Sequence, residues 1–451
     1  MDLEFSSMYW ANFLHIYQPP IQTEHILKRV VNESYRRIIA ELKKSPDDKL
    51  TLNIPACLTE LLDEYGFGDV IDDLRLLLER GQIELTGTAK YHPLLPKIPK
   101  SEVIRQIKLD RETNRRYFGE HYKPRGFFPP EAAYNRELAE VVADLGFEWI
   151  LVEELSYNGT FGAVEYDRTY DVEGLDLKIF FREREASFKI LSGQLGTVKL
   201  FEDYLADRLD KDLYLLTAMD GETFGHHRPG MEKLLFEVYK SPKVPTVTIS
   251  QLLKLFPRTE TVKTLPSTWA LMEKDIEKNA PFSRWDDPEN EVHQLQWELT
   301  RLAIEAGSKK DSPARPLLDR SLHSDQYWWA SARPWWSVEM IERGANELED
   351  TVLASDLPEV DKKRARELYY QIITLGFEWQ RSGKVEEMAR QEDEEVRERT
   401  DEGLPKLPVE EIDKMIANIR REMLEVVEKQ EYERAAQLRD RIKELEGYKN
   451  E

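Results

Sequence analysis

The residues best able to do chemistry in this chain lie between Leu213 and Gly230. An apolar run, Leu213 to Met219, breaks at Asp220 into Gly221, Glu222, Thr223, Phe224, Gly225, His226, His227, Arg228, Pro229 and Gly230. The run has the pattern of a strand buried on both faces. The break is where the backbone must turn and ionisable groups become available. A lone Asp-Gly there would read as a polar turn, but this density of acids, histidines and glycines reads as a site. Similar breaks follow other apolar runs: His15 and Gln18 after the first, His92 after the third and Glu131 after the fourth. Glu131 and Asp220 are the best acidic pair, 220 − 131 = 89 residues apart. Two carboxyl groups facing each other across a pocket can cleave a glycosidic bond. One attacks the anomeric carbon and the other protonates the leaving oxygen and later activates water, at a separation of about 5–5.5 Å in a retaining enzyme.

Such residues need elements that bring them to one place. The apolar runs Met8–His15, Leu50–Ala56, Ile83–Thr88, Gly126–Phe128, Trp149–Glu153, Leu177–Phe181 and Leu213–Thr217 alternate with segments of helical pattern, and Val244–Ser250 is a last apolar run. Helical segments are predicted over 24 to 44, 101 to 119 and 135 to 145, and one ends near Arg80. This alternation implies a parallel sheet with right-handed crossovers. Seven or eight such units in about 250 residues predict an α/β fold closed as a (β/α) barrel, with every polar break at one mouth. From 266 onward the strand pattern is lost, and 290 to 306 and 337 to 385 read as amphipathic helices. Trp285, Trp328, Trp329, Trp335 and Trp336 flank or lie between them. Tryptophan faces pack helices, and they also stack on sugar rings, so at least one is expected in the cleft.

The whole chain has 451 residues, 41% hydrophobic and 33% charged, the balance of a globular protein of more than one domain. A net charge of −22 argues against a broad nucleic-acid surface. Cys57 is the only cysteine, which excludes an internal disulfide and a cysteine-rich metal site. No run is of membrane-spanning length and the N-terminus lacks a secretory pattern, so the cytoplasm is the expected compartment.

Five stretches occur in an order that resembles glycoside hydrolase family 57: His15-Ile16-Tyr17-Gln18-Pro19, Gly87 to Pro93, Phe128-Pro129-Pro130-Glu131 through Tyr134, Met219-Asp220 through His226, and Phe282-Ser283-Arg284-Trp285 through Asn290. The resemblance covers roughly 8 to 340. It implies a seven-stranded β/α barrel followed by a helical bundle, and retaining cleavage or transfer of α-glycosidic bonds without an obligatory metal or other cofactor. By motif it implies Glu131 as nucleophile and Asp220 as general acid/base. His15, Gln18, His92, Glu222, His226, Trp285, Trp328 and Trp329 are the candidate sugar-binding residues. The sequence departs from the family pattern at Ala89-Lys90 and at His226-His227 followed by Arg228-Pro229-Gly230.

The division expected is a catalytic barrel over 1–265, a helical domain completing the cleft over 266–390, a charged linker over 391–408 and a helical hairpin over 409–451. Ile412, Met415, Ile416, Ile419 and Met423 recur at helical spacing, as do Ala435, Ala436, Leu438, Ile442 and Leu445. The stretch from Glu431 to Leu445 resembles the UVR motif of excision-repair proteins. It implies a protein partner or self-association, and removal of the hairpin is expected to spare hydrolysis. The leading reading is an α-amylase-type hydrolase, with a 4-α-glucanotransferase or branching-type transglycosylase as alternative. A metal-dependent deacetylase or mannosidase using Asp220, His226 and His227, and a silent glycan-sensing adaptor, are the readings of other classes.

Overall fold

The computed structural model describes residues 8–309, 311–333, 335–400 and 407–449, with the backbone alone over 393–400. Strand β1 (Tyr9–His15) lies between β2 (Leu50–Asn53) and β8 (Tyr214–Asp220), with β3 (Ile83–Leu85) beyond β2, all parallel. A second sheet runs in the order β4 (Gly126–Phe127), β5 (Trp149–Val152), β7 (Lys178–Phe181), β6 (Thr169–Val172), β9 (Thr259–Val262). Only β6 against β7 is antiparallel in it.

The α/β class and the helical C-terminal region are therefore as expected, whereas one closed seven-stranded ladder is not formed among the described residues. Among the described residues the two sheets share one parallel bridge, Gly87 to Phe127, and no ladder joins β7 to β8. There the Glu183 N–H donates to Leu216 O at 2.6 Å. Glu183 already caps the helix Arg184–Leu191 by accepting from Ala186 N, so the chain leaves the sheet before it can extend a ladder along β8. The apolar run Val244–Ser250 also differs from expectation. It contributes one bridge, Thr246 to Trp10, and becomes the helix Ile249–Leu255 because Thr248 and Gln251 form a capping box. Strands β6 and β9 were not legible as separate runs.

Side-chain alternation with period two sorts the core. Trp10 and Leu14 of β1, with Leu215 and Met219 of β8, pack against the surrounding helices. Ala11 and Phe13, with Tyr214, Leu216 and Ala218, join Phe128, Trp149, Leu151 and Phe180 on the inner face. His15 and Asp220 share the parity of Phe13 and Ala218, so both stand on that inner face at its C-terminal rim.

Close packing sets the bridge between the sheets. A Cβ on Gly126 would lie 2.0 Å from the indole of the fully buried Trp149. Gly126→Ala is accordingly expected to cost about 1–3 kcal/mol in denaturant unfolding. A midpoint equal to the wild type's would show that the indole yields.

Beyond β9 the helices Glu291–Ser308, Val338–Leu353 and Glu359–Ser382 pack on the second sheet around Trp285, Trp297 and Trp379. The expected linker begins inside the helix Lys384–Thr400, and 401–406 lie outside the described residues. The expected hairpin is present as Val409–Glu428 and Tyr432–Gly447, closed around Ile412, Ile416, Ile419, Leu438, Ile442 and Leu445.

Candidate active site

Strand register assembles the first row of the site. His15 pairs in register with Asp220 on one side and Asn53 on the other, so three polar side chains end three adjacent strands. Parallel strands place register partners on the same face. Glu131 comes from the second sheet, just after β4, on a backbone that no strand or helix would impose. It has φ 61°, and Ala132 follows at 48°. With His92 at φ 57°, three of the seven non-glycine residues at positive φ among the described residues belong to this rim. Each such residue costs on the order of 1–3 kcal/mol and persists only where its surroundings fix it. Here Trp269 N donates to Glu131 O at 3.1 Å, and Tyr134 bridges Ser267.

The Glu131 carboxylate is gripped at both oxygens. Ser324 Oγ donates to Oε1 at 3.1 Å and Trp269 Nε1 to Oε2 at 2.9 Å. Burial, with the charges of Asp325 and Asp220 behind it, pushes Glu131 up to about 8 against those two donors. Among the described residues no side-chain hydrogen bond holds Asp220. Burial pushes it up to about 6, opposed by the Arg182 charge. Arg182 is itself buried, tied to Glu153 at 2.7 Å and to Ala218 O at 3.2 Å. One carboxyl is thus fixed in orientation and the other is not, and burial raises both toward neutrality so that the pair holds one proton there.

The two histidines link Glu131 to Asn53. Ser324 Oγ is 3.1 Å from His92 Nδ1, His92 Nε2 is 3.1 Å from His15 Nε2, and His15 Nδ1 is 2.7 Å from Asn53 Oδ1. Burial and the neighbouring His92 push His15 well below its ordinary value, and burial pushes His92 down to about 4. Both rings are therefore neutral at neutral pH, each with one donor and one acceptor nitrogen. The chain then has two self-consistent directions. With Glu131 protonated, every proton points toward the Asn53 carbonyl. With Glu131 ionised, Ser324 donates to it, both rings change tautomer and the Asn53 amide turns over.

Tyr17 stacks on His92 with ring centroids 3.9 Å apart, and its hydroxyl donates to Asp325 Oδ2 at 2.6 Å. His323 bridges Asp325 at 3.1 Å and Glu347 at 3.0 Å. Although burial opposes it, this pairing raises His323 to about 9 and holds Asp325 below its ordinary value. A fixed negative charge therefore sits behind Glu131. Glu222 faces the other side of the rim. Its Oε1 accepts from Tyr17 N at 3.1 Å, from Gln18 Nε2 at 3.4 Å and from the Tyr35 hydroxyl. Burial and then the Asp220 charge push it up to about 8.

His15, Gln18, His92, Glu131, Asp220 and Glu222 thus come together, whereas the other four candidates do not join them. Trp285 is 0% exposed and packs on Trp328 in the helical core, with centroids 5.0 Å apart. Trp328 packs on that same core, and Trp329 meets Trp335 edge-on at 5.8 Å. His226 turns away to Glu33, its Nδ1 2.5 Å from Oε2. The tryptophan at the rim is Trp269, which no sequence motif marks. Tyr17 lay inside a quoted motif, while Tyr35, Asn53, Arg182, Ser324 and Asp325 had no local signal. Among the described residues, no group of three His, Cys, Asp or Glu side chains is placed to hold a metal ion. A surface cavity of about 330 Å³ lies elsewhere, at the opposite end of β3, lined by Ile83, Glu84, His121, Arg125 and Lys254.

Residues 8–265 match the model of glycosyl hydrolase family 57, more than half of the chain. The chain belongs to this family. Residues 413–448 match the UvrB/uvrC motif. An alpha-amylase of Pyrococcus horikoshii is 27% identical over 227 residues, which cover 50% of this chain and 35% of that protein. A 4-alpha-glucanotransferase of Thermococcus litoralis is 27% identical over 144 residues, covering 32% and 21%. The chain spans about a third of the length of the first two curated relatives it matches. Two solved structures compare well in fold. The structure of a 4-alpha-glucanotransferase from Thermococcus litoralis superposes with a TM-score of 0.60 at 18% identity, over 77% of this chain and 59% of that one. A branching enzyme from Pyrococcus horikoshii gives 0.59 at 17% identity, over 81% and 94%.

Proposed function

We propose that this family 57 protein is a retaining glycoside hydrolase acting on α-glucans, cleaving α-1,4 bonds in the manner of an α-amylase. The observation that carries the reading is the contrast between two buried carboxyls on one rim. Glu131 is held at both oxygens by Ser324 and Trp269, whereas among the described residues no side-chain hydrogen bond holds Asp220. With Asp220 raised to about 6 and Glu131 to about 8, the pair carries one proton between them near neutral pH. In the first step a Glu131 oxygen bonds to the anomeric carbon while the Asp220 proton passes to the departing glycosidic oxygen. In the second, Asp220 takes a proton from water, whose oxygen bonds to the anomeric carbon and releases Glu131. Neutral His15 and His92, with Gln18 and Glu222, offer hydroxyl-binding groups around this pair.

The same residues would serve a 4-α-glucanotransferase or branching-type enzyme, in which a sugar hydroxyl replaces water in the second step. Relatives bear both kinds of name, alpha-amylase and 4-alpha-glucanotransferase. Time-resolved product analysis with one pure maltooligosaccharide separates them. Shorter products alone are expected of the hydrolase, and a ladder of longer and shorter chains would establish transfer. No turnover of any α-glucan would overturn both.

We read β1 to β5, β7 and β8 as an opened seven-stranded (β/α) barrel forming a catalytic unit over 1–265. The helical region over 266–390 completes the cleft by supplying Ser324 and Asp325. Residues 391–408 would connect it to the hairpin over 409–451. A cytoplasmic setting is part of this proposal, suggested by the single cysteine. No helix among the described residues is long and apolar enough to cross a membrane. Leu424, Val427 and Tyr432 at the hairpin turn are exposed apolar side chains that a protein partner or a second copy could cover.

A further inference from the structure

The C-terminal hairpin packs against the body of the protein. It lies on the loop that carries Glu222. We propose that it is a working part of the catalytic unit, with Arg434 as a positioning residue that holds the loop from Gly221 to Gly230 in its substrate-binding shape.

The contact is built from buried charge. Arg434 is 4% exposed. Its Nη2 donates to Gly225 O at 2.6 Å and to Glu422 Oε1 at 2.9 Å, and its Nη1 reaches Glu33 Oε2 at 3.4 Å. Glu33 also holds His226 Nδ1, and Glu422 meets Arg37, which in turn meets the fully buried Glu232 at 3.0 Å. One guanidinium therefore joins the hairpin to the loop at Gly225 and to its wall at Glu33. A planar five-donor fork can do this and an ammonium cannot.

The body is shaped to receive the hairpin. A Cβ on Gly193, Gly196 or Gly230 would come within 2.6, 2.6 or 2.9 Å of Arg441, Met415 or Ile419 of the hairpin. Thr197 Oγ1 donates to Glu411 at 2.6 Å, and Arg228 lies 3.6 Å from Glu444. The hairpin thus meets Arg228 and Gly230, within the stretch where the sequence departs from the family pattern.

The path from Arg434 to the sugar site is short. Gly225 has φ 108°, and a Cβ there would sit 2.0 Å from Glu33 O, so loop and wall are in direct contact. The amides of His226 and His227 both donate to Glu222 O, at 3.1 and 2.8 Å. Glu33 lies in a widened π-turn, Val31–Tyr35, whose last three side chains serve this loop. Glu33 takes His226, Ser34 donates to Gly221 O at 2.9 Å, and Tyr35 donates to the Glu222 carboxylate. Freeing Arg434 releases Gly225 and leaves Glu33 and Glu422 as buried charges with one partner fewer. The loop then loses the wall that orients Glu222.

The test compares Arg434→Met, Arg434→Lys and, as a control on the exposed side of the hairpin, Arg420→Ala in the full chain. Hydrogen exchange of residues 221–230 is expected to rise at least about tenfold in Arg434→Met, less in Arg434→Lys and not at all in Arg420→Ala. The activity arm rests on the proposed glycosidase reading. There KM for a maltooligosaccharide should rise roughly tenfold in Arg434→Met, because the loop binds sugar, whereas mere loss of folded enzyme would lower apparent kcat and leave KM alone. Exchange at 221–230 unchanged in Arg434→Met would overturn the proposal whether or not the enzyme turns over α-glucan. Faster exchange with an unchanged KM would overturn the link to the sugar site.

Discussion

Glu131→Gln is expected to lower kcat on a maltooligosaccharide by roughly 10³-fold or more, since no carbon–oxygen bond to the enzyme can form. Asp220→Asn is expected to fall as far on the same substrate, for a different reason, and one substrate change separates the two. With a nitrophenyl leaving group, which departs without a proton, Asp220→Asn should still form the glycosyl-enzyme and then stall, giving a burst of nitrophenol. Glu131→Gln should give no burst. A burst from Glu131→Gln would overturn the assignment of nucleophile and acid/base. Stability should move the other way. Glu131 is raised from 4.5 to about 8, so the folded protein keeps a proton that the unfolded chain releases. Its contribution is unfavourable and grows as pH rises from the unfolded value through the folded one. Glu131→Gln should therefore melt no lower than the wild type, with an advantage that widens between about pH 4.5 and 8.

Asp325 carries the second large effect. The free enzyme's kcat/KM should follow a bell whose acid limb lies near 6 and alkaline limb near 8, the values of Asp220 and Glu131. The bell has the same shape whichever carboxyl bears the single proton. Asp325 contributes to the alkaline limb, because its charge is the largest influence on Glu131 after burial. Asp325→Asn removes that charge and should move the alkaline limb to lower pH, while the acid limb stays in place. A limb that stays near 8 would show that burial and the Asp220 charge suffice to set Glu131. Asp325→Ala goes further. It leaves protonated, buried His323 with Glu347 alone and the Tyr17 hydroxyl without its acceptor, and should cost about 3 kcal/mol or more in unfolding.

His15, His92, Glu131 and Asp220 were legible because each ends an apolar run, and strand ends share a rim. Glu222 and Gln18 were legible from the same breaks. The placement of the tryptophans was not legible, because a Trp-rich helical stretch has the same composition whether it packs helices or binds sugar, and here Trp285 lies in the core. Trp269 was missed because it sits in a loop without periodicity, and only its bond to Glu131 marks it. Ring closure was not legible for a related reason. The count of runs predicts strands, while the strand lengths and the Glu183 cap decide whether neighbouring ladders meet.

The sequence by itself determined the alternation of strands and helices, the acidic pair, the family and the existence of the hairpin. These follow from local periodicity and from short motifs whose residues lie close along the chain. The tertiary structure alone decided that Ser324 grips Glu131, that Asp325 charges it, and that Arg434 reaches Gly225 across 209 positions of sequence. Such pairings depend on where separate elements pack. Their strength comes from burial, which exists only once the chain has excluded water around them.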